Sequence, residues 1–117
     1  MKIEKFEDII AWQKSRELTK VIYKLSNNWN FWKDSWLKTQ IQRASVSIMS
    51  NIAEWFERQT NKEFKQFLYI VKWSCWEIRC QLYVALDNWY ITNSDFEKLY
   101  WVVIEISKLI SNFIKVL

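Results

Sequence analysis

The residues equipped for chemistry are few. Cys75 and Cys80 stand five apart in a chain of 117 residues that holds no histidine and no glycine. Five helical residues turn through about 500°, so the two thiols point in different directions and should not bridge. Their spacing is neither a CxxC pair nor half of a zinc site. Without histidine there is no His-based triad, no His metal site or haem ligand, and no Glu-x-x-His pair of a di-iron bundle. Without glycine there is no phosphate-cradling loop and no dinucleotide fingerprint. One polar group remains, Gln40, Arg43, Asn51 and Glu54. Arg43 and Glu54 are eleven apart, three helical turns, and share a face. No second carboxylate converges on Glu54, so the four read as a structural network that fixes helix register rather than as an acid or base. Asn51 lies on the inward side and is expected to bond to a neighbouring helix, because an unpaired buried amide costs about 1–3 kcal/mol. No catalytic residue, cofactor or metal site is assigned, and the chain reads as a non-enzyme.

Charge is the other resource. The chain has 17 basic and 13 acidic residues, a net +4, and a pI near 9.1. Through Lys72 there are thirteen basic and eight acidic residues, and after it four basic and five acidic. A basic face over the first three long segments would track phosphates through counterion release. Its candidate members are Lys14, Lys20, Lys24, Lys38, Arg43, Arg58, Lys62, Lys65 and Lys72. No helix clusters Arg, Asn and Gln at base-contact spacing, so contact with RNA or DNA would be electrostatic and weakly sequence-selective.

The elements that position these residues follow from hydrophobic period. Polar interruptions at 26–28, 58–61 and 88–94 cut one domain, residues 1–117, into four segments of about 20–28 residues. In the third, Phe64, Leu68, Val71, Cys75, Ile78, Leu82, Ala85 and Trp89 alternate four and three apart, with Thr60 and Glu63 as a capping box. Cys75 on that seam reads as an inert packing residue; Cys80 lies off it. In the fourth, Phe96, Leu99, Val103, Ile106, Ile110, Phe113 and Leu117 repeat the pattern, capped by Thr92 with Asp95 or by Ser94 with Glu97. The second carries Leu37, Ile41, Ala44, Ile48, Asn51 and Trp55, flanked by Ser45, Met49, Ile52 and Phe56. The first runs from about Asp8 to Leu25, with Ile10, Ala11, Leu18, Val21, Ile22 and Leu25 inward. Short connections make the helices antiparallel neighbours, so the expected fold is all-α, an up-down-up-down four-helix bundle. No apolar run reaches the ~18 residues of a membrane span, and the charged start is not a signal peptide, so a cytoplasmic protein without a membrane partner is expected. Trp12, Trp29, Phe31, Trp32, Trp73, Trp76, Tyr83 and Trp101 do not all fit inward stripes, which points to a helix face used for self-association.

Specific strings carry a resemblance. The run from Gln40 to Glu54 resembles the signature of the four-helix-bundle family named for proteins encoded in 23S rRNA intervening sequences, a superfamily that includes accessory variability proteins of diversity-generating retroelements. Phe6-Glu7-Asp8-Ile9 with Trp12-Gln13-Lys14 is similar to that family's first helix. Glu63-Phe64, Phe67-Leu68, Ser74, Glu77 and Gln81-Leu82 are similar to its third. The resemblance implies a ring-shaped homo-oligomer, a pentamer, and an accessory role beside a reverse transcriptase; an oligomeric scaffold with no nucleic-acid role is the alternative. The chain departs from the family's pattern at Gln42-Arg43, where two adjacent basic residues are usual, and at Asn30 and Met49, where proline is usual. Trp36, Trp55, Trp73 and Trp89 all stand where the family has glycine. With nine tryptophans and no glycine in the chain, this suggests UGA codons that one genetic code reads as tryptophan and another as glycine.

Overall fold

Heptad spacing, hydroxyl and carboxylate caps, and the absence of proline leave the backbone little alternative to helix. The protein is represented by a computed structural model that describes residues 3–58 and 65–116. A 3-10 turn, Phe6–Asp8, leads into α1 (Ile10–Ser26), the short α2 (Trp29–Lys33), α3 (Ser35–Glu57), α4 (Lys65–Asp87) and α5 (Asn93–Lys115). Among the described residues there is no strand. Helices of 23 residues span about 35 Å at ~1.5 Å per residue, which accounts for most of the 44 Å long axis.

Cross-helix bonds give the direction of each pair. Thr19 Oγ1 donates to the Ser45 carbonyl (3.2 Å) and Gln42 Nε2 to Ser26 Oγ (2.8 Å), so α1 and α3 run antiparallel. Arg43 meets Glu77 and Ser47 meets Ser74, which makes α3 and α4 antiparallel. Lys72 meets Ser107 while Arg79 meets Tyr100, and the same holds for α4 and α5. Helix α1 also packs on α5, closing the circle α1–α3–α4–α5. The expected antiparallel four-helix bundle is the observed fold, with α2 added as a corner piece.

The α3, α4 and α5 seams enclose the core as their spacing predicts: Ile41, Ala44, Ile48, Leu68, Val71, Cys75, Ile78, Leu82, Val103, Ile106 and Ile110 are all essentially inaccessible. Four expectations are corrected. Ile10 (55% exposed) and Val21 (39%) face solvent, and Ile9, Ser15 and Ser26 are buried in their stead. Ile9 is the residue before α1 and inserts its side chain as a plug, which turns Ile10 outward. Phe31, expected among the surplus aromatics, is 2% exposed and stacks on Tyr90 at 5.3 Å, sealing one end of the bundle. Trp89, expected at the end of the α4 seam, is 87% exposed because the helix has already stopped at Asp87.

Caps explain where the helices start. Asp34 ends α2 and opens α3; its Oδ1 accepts from the Leu37 amide at 3.0 Å. Its Oδ2 accepts from the Tyr90 hydroxyl at 3.0 Å, tying the α4–α5 connection to the α2–α3 corner. That bond, with burial and the carboxylate's charge adding to it, raises the Tyr90 phenol above its ordinary pKa. Thr92 caps α5 by accepting from the Asp95 amide at 3.0 Å, which selects the first of the two caps. The capping pair Thr60 and Glu63 lies outside the described residues, as do Phe64 and Leu117.

Asp34→Ala should lower stability by about 1–2 kcal/mol in urea unfolding, as the loss of an N-cap does. Tyr90→Phe should have a smaller effect. The double variant should cost less than the two effects added, because both remove one side of the same bond.

Candidate functional site

The nine basic candidates do not form one free surface. Lys14 pairs with Glu105 across the α1–α5 boundary at 2.8 Å. Arg43 pairs with Glu77 of α4 at 2.8 Å, and its Nε donates to Gln40 Oε1 at 3.2 Å. Arg58 pairs with Glu54 one turn earlier at 3.0 Å and lies over the Phe67 ring. Lys72 departs furthest from expectation. Its ammonium donates to Ser107 Oγ (2.7 Å), Ser111 Oγ (2.7 Å) and the Ser107 carbonyl (3.2 Å), so all three donors are used within the bundle. Lys20 and Lys24 stand exposed on the outer side of α1, and Lys65 is exposed at the start of α4. Lys38 is half-buried beside the Trp32 ring, 5.4 Å from its centroid. Lys62 lies outside the described residues.

The proposed polar network divides into three. Gln40 and Arg43 are joined and reach α4 through Glu77. Glu54 bonds to Arg58 on its own helix. Asn51 bonds not to a neighbouring helix but to the Ser47 carbonyl (2.8 Å) and hydroxyl (3.1 Å) one turn back. The link to α4 is made one step later, where Ser74 Oγ donates to Ser47 Oγ at 3.1 Å. Such hydroxyl contact needs close backbones, which the small residues on this face of α3 allow.

Sequence reasoning missed the partners more than the participants. Glu77, Ser107, Ser111 and Tyr100 each sit one or two residues beside a seam position, where a side chain reaches sideways to the next helix. Arg79 illustrates this: its Nη2 donates to the Tyr100 hydroxyl at 2.9 Å, and its guanidinium lies 5.2 Å from that ring's centroid. Only the register between helices decides which lateral residues meet, and one helix read alone does not contain it.

These lateral contacts consume the charges in the body of α4. Lys72 and Arg79 turn to α5 and Glu77 turns to α3. The outward stripe is left to Tyr69, Ile70, Trp73, Trp76, Cys80, Tyr83 and Val84, every one exposed. At ~150–250 Å² per aromatic ring, four half-exposed rings offer ~400 Å², and Ile70, Cys80 and Val84 extend the patch toward ~600 Å². That reaches the upper end of the range for the largest apolar patch on a typical monomer, about 300–600 Å².

A surface cleft of about 390 Å³ beside the α4–α5 connection is lined by Asn28, Leu86, Trp89, Tyr90, Thr92 and Asp95 among others, and Asp95 is its one charged residue. Among the described residues no three His, Cys, Asp or Glu side chains are grouped to hold a metal. None of the described helices is long and apolar enough to cross a membrane.

Burial pushes the Cys75 thiol from 9.0 up to about 12, against the opposing pull of Lys72 and Arg79. At mildly alkaline pH, iodoacetamide should therefore label Cys80 and spare Cys75 until urea is added. The buried neutral thiol stabilises the fold fully below pH 9.0, and this contribution is lost as pH rises toward about 12. Cys75→Ala should lose less stability across that window than the parent protein.

Residues 7–112 match the family described as 23S rRNA-intervening sequence protein. A crystal structure of a protein of unknown function from the S23 ribosomal protein family of Bacteroides thetaiotaomicron VPI-5482 superposes with a TM-score of 0.81 at 29% identity, covering 91% of this chain and 99% of that one. No curated protein matches significantly. The helical signature around Gln40–Glu54, the closed antiparallel bundle and the match over nearly the whole chain agree, and the chain belongs to the 23S rRNA-intervening sequence protein family.

Proposed function

We propose that this protein is a non-enzymatic helical bundle that works as a homo-oligomer, assembled through the outward face of α4. The observation that carries this reading is the neutral apolar stripe on α4. A surface helix of a monomer keeps its charges outward; here Lys72, Glu77 and Arg79 are drawn sideways and seven exposed uncharged residues face solvent. A patch of ~600 Å² approaches the ~800 Å² that each partner contributes to a standard interface. A ring of five, as the family resemblance implies, would place this stripe against a neighbouring copy in every subunit.

Sedimentation should give an assembly several times the 14.5 kDa chain mass. Tyr69→Glu combined with Val84→Glu should release folded monomer, because both side chains are exposed on α4 and replacing them leaves the core intact. A parent protein that sediments as monomer at tens of micromolar overturns the reading.

A second reading, contact with a polyanion, is favoured by Lys20, Lys24, Lys33 and Lys38. They lie on the outer side of α1 and at the α2–α3 corner, and no carboxylate pairs with them among the described residues. A ring of five copies at +4 each would carry about +20, which favours RNA, DNA or a nucleoprotein. Replacing Lys20, Lys24 and Lys38 together by Gln should weaken binding to all sequences alike and flatten the salt dependence, by ~0.7–0.9 in the log–log slope for each phosphate no longer neutralised. Lys72→Gln should lower stability without that change in slope. Absence of binding at low salt leaves the scaffold function alone. A reverse transcriptase gene beside this one would identify the nucleoprotein partner.

A further inference from the structure

The connection between α4 and α5 contains the one positive φ among the described residues, and it belongs to Trp89, at 63°. The hydrogen bonds around it define why. The Tyr90 amide donates to the Ala85 carbonyl at 2.9 Å and the Trp89 amide to the Leu86 carbonyl at 3.0 Å. These are the paired 6→1 and 5→2 bonds of a Schellman helix stop, and they put Trp89 at the position that must turn left-handed. There a Cβ crowds the following carbonyl, which is why glycine dominates this site and asparagine comes second. A bulky indole is among the least suited occupants. Its ring gains nothing in return, being 87% exposed.

A second misfit is independent of the first. Trp55 is 7% exposed and stacks on Phe113 at 4.9 Å, yet its indole Nε1 has no hydrogen-bond partner. Buried tryptophans ordinarily find one. Trp36 and Trp73 are more than half exposed. Trp12 differs, packing edge-on against Phe6 at 5.1 Å beside the core. Composition adds the third observation. Nine tryptophans accompany no glycine at all, where a chain of this length ordinarily holds about eight glycines.

We propose that the residue at position 89 in the living cell is glycine, encoded by a UGA codon that the source organism reads as glycine and another genetic code reads as tryptophan. One codon then explains the surplus of one residue, the absence of the other, and the left-handed turn. The same reading places glycine at 55, removing the unpaired indole N–H, and at other tryptophans that share the codon, with Trp12 keeping UGG. Of the α4 stripe, Tyr69, Ile70, Cys80, Tyr83 and Val84 are the same in both versions, while glycine at 73 or 76 removes a ring and shrinks the apolar patch.

The gene and the native protein decide the matter. Codons 89 and 55 should be UGA, and the peptide spanning residue 89, isolated from source cells, should contain glycine. A UGG codon at 89, or tryptophan in that native peptide, overturns the proposal. A physical test on the recombinant tryptophan form isolates the backbone strain. Trp89→Gly should raise the melting temperature by about 3–6 °C, whereas Trp101→Gly, at an exposed position inside α5, should lower it because glycine is a poor helix former. An unchanged or lowered midpoint for Trp89→Gly counts against the glycine assignment. Position 89 lies beyond the end of α4, outside the stripe proposed for assembly.

Discussion

A ring of four antiparallel helices closes only if the polar groups on each helix's flanks find partners on the next helix at the register the apolar seams impose. In this protein that condition is met at every boundary. Thr19 and Ser45 join α1 to α3, Ser47 and Ser74 join α3 to α4, Lys72 with Ser107 and Ser111 joins α4 to α5, and Lys14 with Glu105 joins α5 to α1. The apolar seams supply most of the stabilisation, but they tolerate sliding. A bonded hydroxyl pair or a fully used ammonium does not slide, because displacement by one turn leaves donors unpaired in a half-buried setting. Register, and hence which side chains face outward, depends on these contacts.

The same constraint explains what could be read from one dimension. The seams of α3, α4 and α5 were legible because three-and-four spacing is a property of a single helix. Thr92 as a cap was legible because capping is local. The first helix was read less well: its apolar residues spread over a wide arc, and the plug formed by Ile9 decides which of them turn inward. Lys72 and Arg43 looked like surface cations because their partners lie 35 and 34 residues away in sequence. Nothing in the local pattern says that Ser107 will stand opposite Lys72. The intrachain partners of the expected basic residues were therefore not legible, while the outward apolar stripe of α4, whose members are local to one helix, was partly visible in the surplus of aromatic rings.

A chain without glycine or proline must stop its helices by other means. Asp34 and Thr92 begin helices through side-chain caps, and Asn27 follows the end of α1. The α4–α5 stop is the exception, since the bonds from Tyr90 to Ala85 and from Trp89 to Leu86 demand a left-handed residue whatever its identity. The backbone there obeys the helix ends and the Asp34–Tyr90 bond, not the preference of the residue it carries. A strained φ at an exposed ring with no compensating contact reports a mismatch between fold and residue, whereas strain at a functional site is held in place by surrounding contacts.

The arrangement of the helices also decides whether assembly and polyanion contact compete. Helix α4 touches α3 and α5, and helix α1 touches the same two from the opposite side of the circle. The apolar stripe and the exposed Lys20 and Lys24 thus lie on opposite sides of the bundle. A contact made by the α4 stripe itself does not cover the α1 lysines, which stand on the far side of the circle. Lys14, Arg43 and Arg58, by contrast, are each paired with a carboxylate. The flank contacts thus draw Lys72, Glu77 and Arg79 of α4 sideways and leave Lys20 and Lys24 of the diagonal helix unpaired among the described residues, which is the physical ground for the two proposed roles.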